Sequence, residues 1–383
     1  YGESDSATLD KLGGVAWQGR KAKVKKKLLE MAAALLKIAA ERQLRKGDQM
    51  TPPEGLFEEF CARFPYPETD DQLRAIEEVL EDLHSGRPMD RLVCGDVGFG
   101  KTEVAMRAAF VAAACGQQVA VITPTTLLAR QHYRNFTERF AGLPLRIAHL
   151  SRMVTAKEAT ASKLEMAEGR VDIVIGTHAL LAKSVKFKNL GLVIVDEEQH
   201  FGVKQKERMK ELRHEVHVLT LTATPIPRTL QLALAGVREM SLIATPPVDR
   251  LAVRSYVLPY DPLIVKEALM REHFRGGQSF FVVPRLEDLP KITEGLAALV
   301  PDLRFAVAHG QLSAEQLESV MTDFYGGKFD ILLATNIIES GLDIPNANTI
   351  IVHRADLFGL AQLYQLRGRV GRGKLRGYAY LTY

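Results

Sequence analysis

The run Gly95-Asp-Val-Gly-Phe-Gly100-Lys101-Thr102 fits the pattern G-x-x-x-x-G-K-[ST]. Those residue types in that order suit the holding of a polyphosphate. Glycines let backbone N–H groups converge on phosphate oxygens, and the start of a helix expected from Glu103 to Ala114 adds positive potential. In such a loop Gly98 and Gly100 shape the cradle, Lys101 reaches the β- and γ-phosphates, and Thr102 binds Mg²⁺. The apolar run Arg91–Cys94 supplies the strand that should precede it.

Two further clusters fit the same chemistry. Asp196-Glu197 closes the apolar run Leu192–Val195. Asp196 there can hold Mg²⁺, and Glu197 can polarise an attacking water. An acid pair alone is a common surface feature; at the end of a buried strand, downstream of a phosphate loop, it gains meaning. Gln365-Leu-Arg367-Gly-Arg369-Val-Gly-Arg372 sets three arginines among glycines. Arginine neutralises charge that spreads in a transition state, and glycines allow close approach. The same composition also suits a basic loop for nucleic acid. If this loop faces the phosphate loop across a cleft, ATP is sandwiched, and hydrolysis opens and closes the two sides.

The elements that must position these groups alternate along the chain. Arg91–Cys94, Val119–Ile122, Ile147–Leu150, Val171–Ile175, Leu192–Val195 and Val218–Leu221 read as buried strands with helical or loop segments between them. Ser255–Leu258, Phe280–Val283, Phe305–Ala308, Ile331–Leu333, Thr349–Val352 and Tyr378–Thr382 form a second set. Short apolar runs alternating with helical pattern predict parallel sheets covered by helices. Thr245-Pro-Pro247 interrupts the pattern, so the expectation is two α/β domains, 51–246 and 247–383, joined near 245–252. Polar clusters such as Thr123-Pro124, Gly176-Thr177-His178, Thr222-Ala-Thr224, His309-Gly-Gln311 and Thr335-Asn336 follow the strands. Open α/β sheets bind ligands at those carboxyl ends.

The first fifty residues differ. Arg20–Lys27 holds six basic residues and no acid, and Val24, Leu28, Met31, Leu35 and Ile38 recur at helical spacing. This predicts an amphipathic helix over about 20 to 46. Either it packs on a neighbouring domain with its lysines solvated, or it is a lever with a basic face near DNA or a partner. Thr51-Pro-Pro53 reads as a linker.

Composition bounds the rest. The chain has 383 residues, 46% hydrophobic and 25% charged, which suits two or three globular domains and excludes a disordered or fibrous chain. No run of 18 apolar residues exists, so a membrane span is not expected. Three cysteines without a Cys-x-x-Cys pair suggest neither a disulfide framework nor a zinc site, and fit a reducing, cytoplasmic setting. The net charge of +4 gives no global field for a polyanion, so any nucleic-acid surface must be local. A first residue of Tyr1 suggests a fragment or a processed product.

Taken in order, Gly95–Thr102, Thr123-Pro-Thr-Thr126, Asp196-Glu-Glu-Gln199, Thr222-Ala-Thr-Pro225, Ala334-Thr-Asn336 with 339–345, and Gln365–Arg372 resemble the motifs of superfamily 2 helicases and translocases. Residues 95–109, 219–229, 337–345 and 358–372 resemble the bacterial transcription–repair coupling factors most closely, and 9–42 resembles their helix joining the polymerase-binding domain to the motor. The branched-DNA helicase RecG shares most of the motifs. The resemblance implies two tandem RecA-like domains behind a long linker helix. It implies an ATP hydrolase that translocates on double-stranded DNA, displaces stalled RNA polymerase and connects to excision-repair proteins; the alternatives are a RecG-like branched-DNA helicase and an ATP-gated module that grips DNA or polymerase while hydrolysis only resets its state.

Position by position, the resemblance implies that Gln72, after Thr69, reads adenine. Lys101, Thr102, Asp196 and Glu197 match the ATP–Mg²⁺ machinery, and Arg369 and Arg372 the arginine fingers. Asp343 matches a motif near the ribose. Thr222 and Thr224 match the segment that couples ATP state to DNA grip. Thr123, Thr125, Arg130, Thr177, His178, Gln311 and Thr335 match segments on the DNA backbone. Hydroxyl, amide and basic donors to phosphates give grip without sequence reading, which a motor on any DNA needs. Gln199 stands where many relatives have His, which implies altered coupling, and an Asp-Glu-Ala-Asp RNA helicase is disfavoured. Trp17 reads as a staple at the start of the long helix. The polymerase-binding domain, but for residues near 1–14, and the translocation hairpin are expected to lie outside the chain.

Overall fold

The computed structural model describes residues 44–152, 154–182, 184–198, 216–223, 238–247, 251–335, 346–371 and 375–383, with isolated residues elsewhere. Most of the helix expected over 20–46 lies outside the described residues, as do Trp17, Gln199, Thr224, Asp343 and Arg372.

The first half contains α1 (Leu56–Ala62), α2 (Asp70–His84), β1 (Asp90–Gly95), α3 (Lys101–Ala114), β2 (Gln118–Thr123), α4 (Thr126–Arg139), β3 (Ile147–Leu150), α5 (Ala156–Glu168), β4 (Ile173–Thr177), β5 (Leu190–Asp196), β6 (His217–Thr222) and β7 (Glu239–Ile243). Its seven strands run in the order β3-β4-β2-β5-β6-β1-β7, every pair parallel. Strands β1, β2, β4 and β6 are buried at every position. Helices cover both faces of such a sheet, which is why its strands read as continuous apolar runs rather than as alternation. Along β5 successive residues serve opposite faces: Leu192 and Ile194 join one core, Val193 and Val195 the other.

Strand β7 has no counterpart among the apolar runs expected to be strands. Glu239-Met-Ser-Leu-Ile243 lies at the sheet edge, where Glu239 and Leu242 are exposed and only Ser241 and Ile243 are buried. An edge strand with half its residues in water carries a weak apolar signal. It pairs with β1 from Arg91↔Glu239 to Gly95↔Ile243, so it flanks the start of the phosphate loop.

The second half adds β8 (Arg254–Leu258), α6 (Pro262–Phe274), β9 (Gln278–Val282), α7 (Leu289–Leu299), β10 (Phe305–Ala308), α8 (Ala314–Tyr325), β11 (Ile331–Ala334), β12 (Ala347–Val352), α9 (Leu360–Arg367) and β13 (Tyr378–Thr382). These strands form a second parallel sheet in the order β10-β11-β9-β12-β13-β8. Phe280 and Phe281, adjacent on β9, fill the cores on its two faces.

Local signals set the helix starts that matter. Thr69 caps α2 with Gln72 in a reciprocal capping box: Gln72 N–H donates to Thr69 Oγ1 at 3.3 Å and Thr69 N–H to Gln72 Oε1 at 2.9 Å. Thr125 caps α4 by accepting from Leu128 N–H. Helix α3 is buried from Glu103 to Ala113, which its alanine-rich sequence permits in a tight space. Phe60 stacks on Phe110 at 4.5 Å.

Buried charge also anchors α3. Arg107 Nε and Arg139 Nη2 donate to Glu103 Oε1 at 3.0 and 2.8 Å, Arg107 also pairs with Glu68, and the Arg139 guanidinium lies 3.9 Å over the Phe60 ring. Glu103 is 7% exposed. Removing one member of a buried ionic group leaves its partners uncompensated, at a cost of about 3 kcal/mol or more. Glu103→Ala is therefore expected to lower the urea midpoint of the first lobe strongly, while a Glu81→Ala control on the surface of α2 leaves it unchanged.

The two lobes touch. Leu127 of α4 packs on the second lobe's core, and Arg134 Nη1 donates to Tyr325 Oη of α8 at 3.2 Å. At the connection, Asp71 of α2 accepts from Ala244 N–H, Thr245 N–H and Thr245 Oγ1 at 3.0, 2.9 and 2.7 Å. Those donors hold its carboxyl below the usual carboxylate range, the Thr245 hydroxyl contributing most.

Candidate active site

The phosphate-loop sequence takes a tight backbone turn between β1 and α3. Gly98 and Gly100 have φ of 79° and 84°, where a side chain is strained. At Gly100 a Cβ would also stand 2.3 Å from Gln72 Nε2. Asp96 Oδ1 accepts from Val97 N–H at 2.7 Å, and Lys101 Nζ donates to the carbonyls of Gly95 and Asp96 at 2.7 and 2.9 Å. The ammonium is thus held at the start of the loop, and the amino end of α3 at the loop's other end adds a field that favours an anion.

A cavity opens over this loop. Val97, Gly98, Gly100, Lys101 and Thr102 form one wall, Asp196 and Glu197 another, and Arg369 from the second lobe a third. Gly368 seats that third wall closely: a Cβ there would lie 3.5 Å from Val97 Cβ. The Arg369 side chain is 3% exposed. The structure thus brings together the three clusters that sequence motifs single out, two from one lobe and one from the other. Arg367 lies apart from this wall, its guanidinium 4.2 Å over the Tyr364 ring.

Glu197 has a left-handed backbone, φ 53°, which is uncommon outside glycine. Its N–H donates to Leu221 O at 3.0 Å, and its Oε1 accepts from Ala223 N–H at 3.1 Å. Both partners belong to the β6 end, so the Thr222 segment holds this carboxylate in place. Strain of this kind persists only where the surroundings over-determine it. Asp196 Oδ2 lies 2.8 Å from His132 Nε2.

The donor set fits a nucleotide phosphate and one divalent cation. Mg²⁺ is held through one or two carboxylates together with substrate phosphates rather than by an all-protein cage. Here Thr102 and Asp196 face the same cavity, and among the described residues no cluster of three or more His, Cys, Asp or Glu forms a cage.

Gln72 braces the loop. Its Nε2 donates to Phe99 O at 2.8 Å while Oε1 serves Thr69 N–H, so both ends of the amide bond within the protein. Gln72→Ala is expected to raise the KM for ATP several-fold, because it strands a buried N–H and a carbonyl at a cost of about 1–3 kcal/mol in loop order. Steady-state kinetics with ATP and GTP in parallel separate the two effects: a loss confined to ATP marks base reading, and an equal loss marks bracing.

The proposed DNA-facing residues fall into two groups. Arg130, His178 and Gln311 are exposed, and Thr125 and Thr335 are half-buried. Thr123 differs. It is fully buried, and its hydroxyl donates to Thr125 O at 3.0 Å and Gly176 O at 3.4 Å. The side chain locks the turn that presents Thr125 and has no face open to a phosphate. Thr177 is also buried, and its hydroxyl accepts from Ala179 N–H. A strand-end hydroxyl looks the same in sequence whether it caps a turn or meets a ligand.

One wall of the cavity comes from a helix that carries none of the motif residues facing the nucleotide. Leu128, Gln131, His132 and Asn135 of α4 line the cavity. Their spacing marks one helix face, the signal that was available once Thr125 is seen as a cap.

Two family models match in tandem: the DEAD/DEAH box helicase over residues 69–233 and the helicase conserved C-terminal domain over residues 263–374. Transcription-repair-coupling factors of Rickettsia bellii, Myxococcus xanthus and Escherichia coli are 56%, 57% and 54% identical over 100%, 99% and 99% of the chain. The chain spans about a third of their length, 34%, 32% and 33%. A structure of RecG bound to a three-way DNA junction superimposes with a TM-score of 0.82 at 39% identity, over 93% of this chain and 48% of that one. A point variant of S. cerevisiae Dbp5, bound to RNA and ADP BeF3, shares the fold with a TM-score of 0.63 at 17% identity, over 88% and 90% of the chains. The paired lobes, the cavity between them and these likenesses agree: the chain belongs to the transcription-repair-coupling factors and corresponds to their superfamily 2 helicase motor portion.

Proposed function

We propose that the chain is a DNA-dependent ATPase that translocates along duplex DNA. The observation that carries this reading is the placement of Arg369 from the second lobe in the cavity formed by the phosphate loop, Asp196 and Glu197 of the first. A site split between lobes changes when the lobes move, so nucleotide state and lobe spacing are coupled. The working division is 1–50 as an N-terminal segment, 51–246 as the lobe with the phosphate loop, and 247–383 as the lobe with the arginine finger.

In this reading the loop N–H groups and Lys101 hold the β- and γ-phosphates. Mg²⁺, when bound by Thr102 and Asp196, supplies neutralisation of phosphate charge. Glu197, fixed by Ala223 N–H, orients and polarises the attacking water. Arg369, with Arg372, stabilises charge that develops on the transferring group. Arg130, His178, Gln311, Thr125 and Thr335 grip the DNA backbone. Grips on the two lobes tighten in alternation, with Thr222 and Thr224 coupling them to the nucleotide.

Within the whole protein such a motor would displace a stalled RNA polymerase and connect to excision-repair proteins, in the cytoplasm. Among the described residues no helix is long and apolar enough to cross a membrane. The likeness to RecG favours one second reading, a helicase for branched DNA.

Displacement of a third strand from a triplex on linear duplex tests the choice. ATP-dependent stripping of the third strand without strand separation is expected. Unwinding of a fork with no third-strand displacement would favour the branched-DNA reading instead.

A further inference from the structure

His132 takes no part in the chemistry described above, yet it occupies a position that connects all of it. Its side chain is almost fully buried, lines the cavity, and places Nε2 2.8 Å from Oδ2 of Asp196. With the carboxylate as acceptor, Nε2 carries the proton. Among the described residues Nδ1 is buried without a hydrogen-bond partner. An unpaired buried polar atom is a cost that leucine or phenylalanine at this site would avoid. Packing alone therefore does not account for a histidine here.

The helix that bears it is held in the first lobe by buried Phe136 and by the Arg139–Glu103 pair, and three further attachments bear on the cavity. At its start Thr125 caps it in the segment proposed to meet DNA, and Thr123 locks that turn from β2. On one side Leu127 and Arg134 reach the second lobe, at its core and at Tyr325. On the inner face Leu128, Gln131, His132 and Asn135 wall the cavity. A helix moves as a stiff unit, so a shift of the DNA-facing end or of the second lobe arrives at the cavity through α4. Its charge-assisted contact with the acid pair is the His132–Asp196 hydrogen bond.

We propose that His132 is a positioning residue that orients Asp196 for the metal and makes that orientation depend on α4, and through α4 on DNA and on the second lobe. The inference rests on the proposed ATP-driven motor. It adds to it a physical link between the DNA-facing segment and the metal-binding carboxylate.

Two variants and two readouts test it. His132→Leu keeps an apolar filling and removes the donor. His132→Gln keeps an N–H that can reach the same carboxylate. Equilibrium binding of a fluorescent ATP analogue is followed across a Mg²⁺ titration, and ATP turnover is measured with and without linear duplex DNA. In His132→Leu the Mg²⁺ midpoint is expected to rise about tenfold, with duplex-stimulated kcat down about 10- to 100-fold, as for lost partners of metal ligands. The KM for ATP should stay within about threefold, since ground-state phosphate binding is untouched. His132→Gln should recover most of both losses. A His132→Leu protein that matches wild type in Mg²⁺ midpoint and duplex stimulation would overturn the proposal. So would equal damage in both variants with equally lowered melting temperatures, which would mark a packing role. If wild-type turnover ignores duplex DNA, the motor reading fails, while the Mg²⁺ midpoint still decides whether His132 orients Asp196.

Discussion

Arg369→Ala is expected to lower ATP turnover about a thousandfold, the scale on which arginine fingers act. The physical reason is the position of the side chain. It is buried in the cavity between the lobes, facing the acid pair and the phosphate loop. A guanidinium there stabilises charge that grows only as the phosphoryl bond breaks, so its loss falls on kcat more than on nucleotide affinity. Arg369→Lys should recover little, because a point charge on a flexible stem does not reproduce a planar fork. The measurement is steady-state turnover paired with equilibrium binding of a fluorescent ATP analogue. Turnover within about threefold of wild type would remove Arg369 from the transition state.

Glu197→Gln should leave binding of ATP and DNA intact and reduce turnover by about 10²- to 10⁴-fold, the usual contribution of a positioned general base. The amide matches the carboxylate in size, and its oxygen can still accept from Ala223 N–H, which Glu197 Oε1 does at 3.1 Å. The left-handed backbone at this residue should therefore survive the substitution. What disappears is the negative charge that polarises water. Single-turnover kinetics with a Lys101→Ala comparison separates the two losses: Lys101→Ala weakens phosphate binding, whereas Glu197→Gln slows chemistry. Near-normal turnover in Glu197→Gln would break the assignment.

Much of this arrangement is legible in the sequence because it depends on short-range patterns. The phosphate loop announces itself by glycines whose left-handed φ the turn requires, and the strands by apolar runs that only a doubly covered parallel sheet can bury. Ile147–Leu150, Phe305–Ala308 and Tyr378–Thr382 are strands at the bounds expected of them. Strand β7 escaped because half of it faces water. The convergence of Arg369 with Lys101 could be expected only from the resemblance and the two-lobed pattern, since their proximity is a matter of how the sheets stand together.

Roles that depend on side-chain direction were less legible. Thr123 and Thr125 are two residues apart in one motif, yet one hydroxyl points into the sheet and the other caps a helix. Nothing in their residue type separates them. His132 belongs to no motif: its signal is a helix face, and its partner is 64 positions away. Asp71 likewise fastens the connection between the lobes from within the segment read for its neighbour Gln72. Contacts of that length are set by the packing of whole elements.

The most direct test of the account is steady-state ATP hydrolysis by this chain with linear duplex DNA of increasing length, a forked duplex of matched length, and Glu197→Gln as control. A duplex-translocating motor predicts stimulation by plain duplex that rises with length and vanishes in the control. Turnover indifferent to duplex, or stimulated only by the fork, would contradict it.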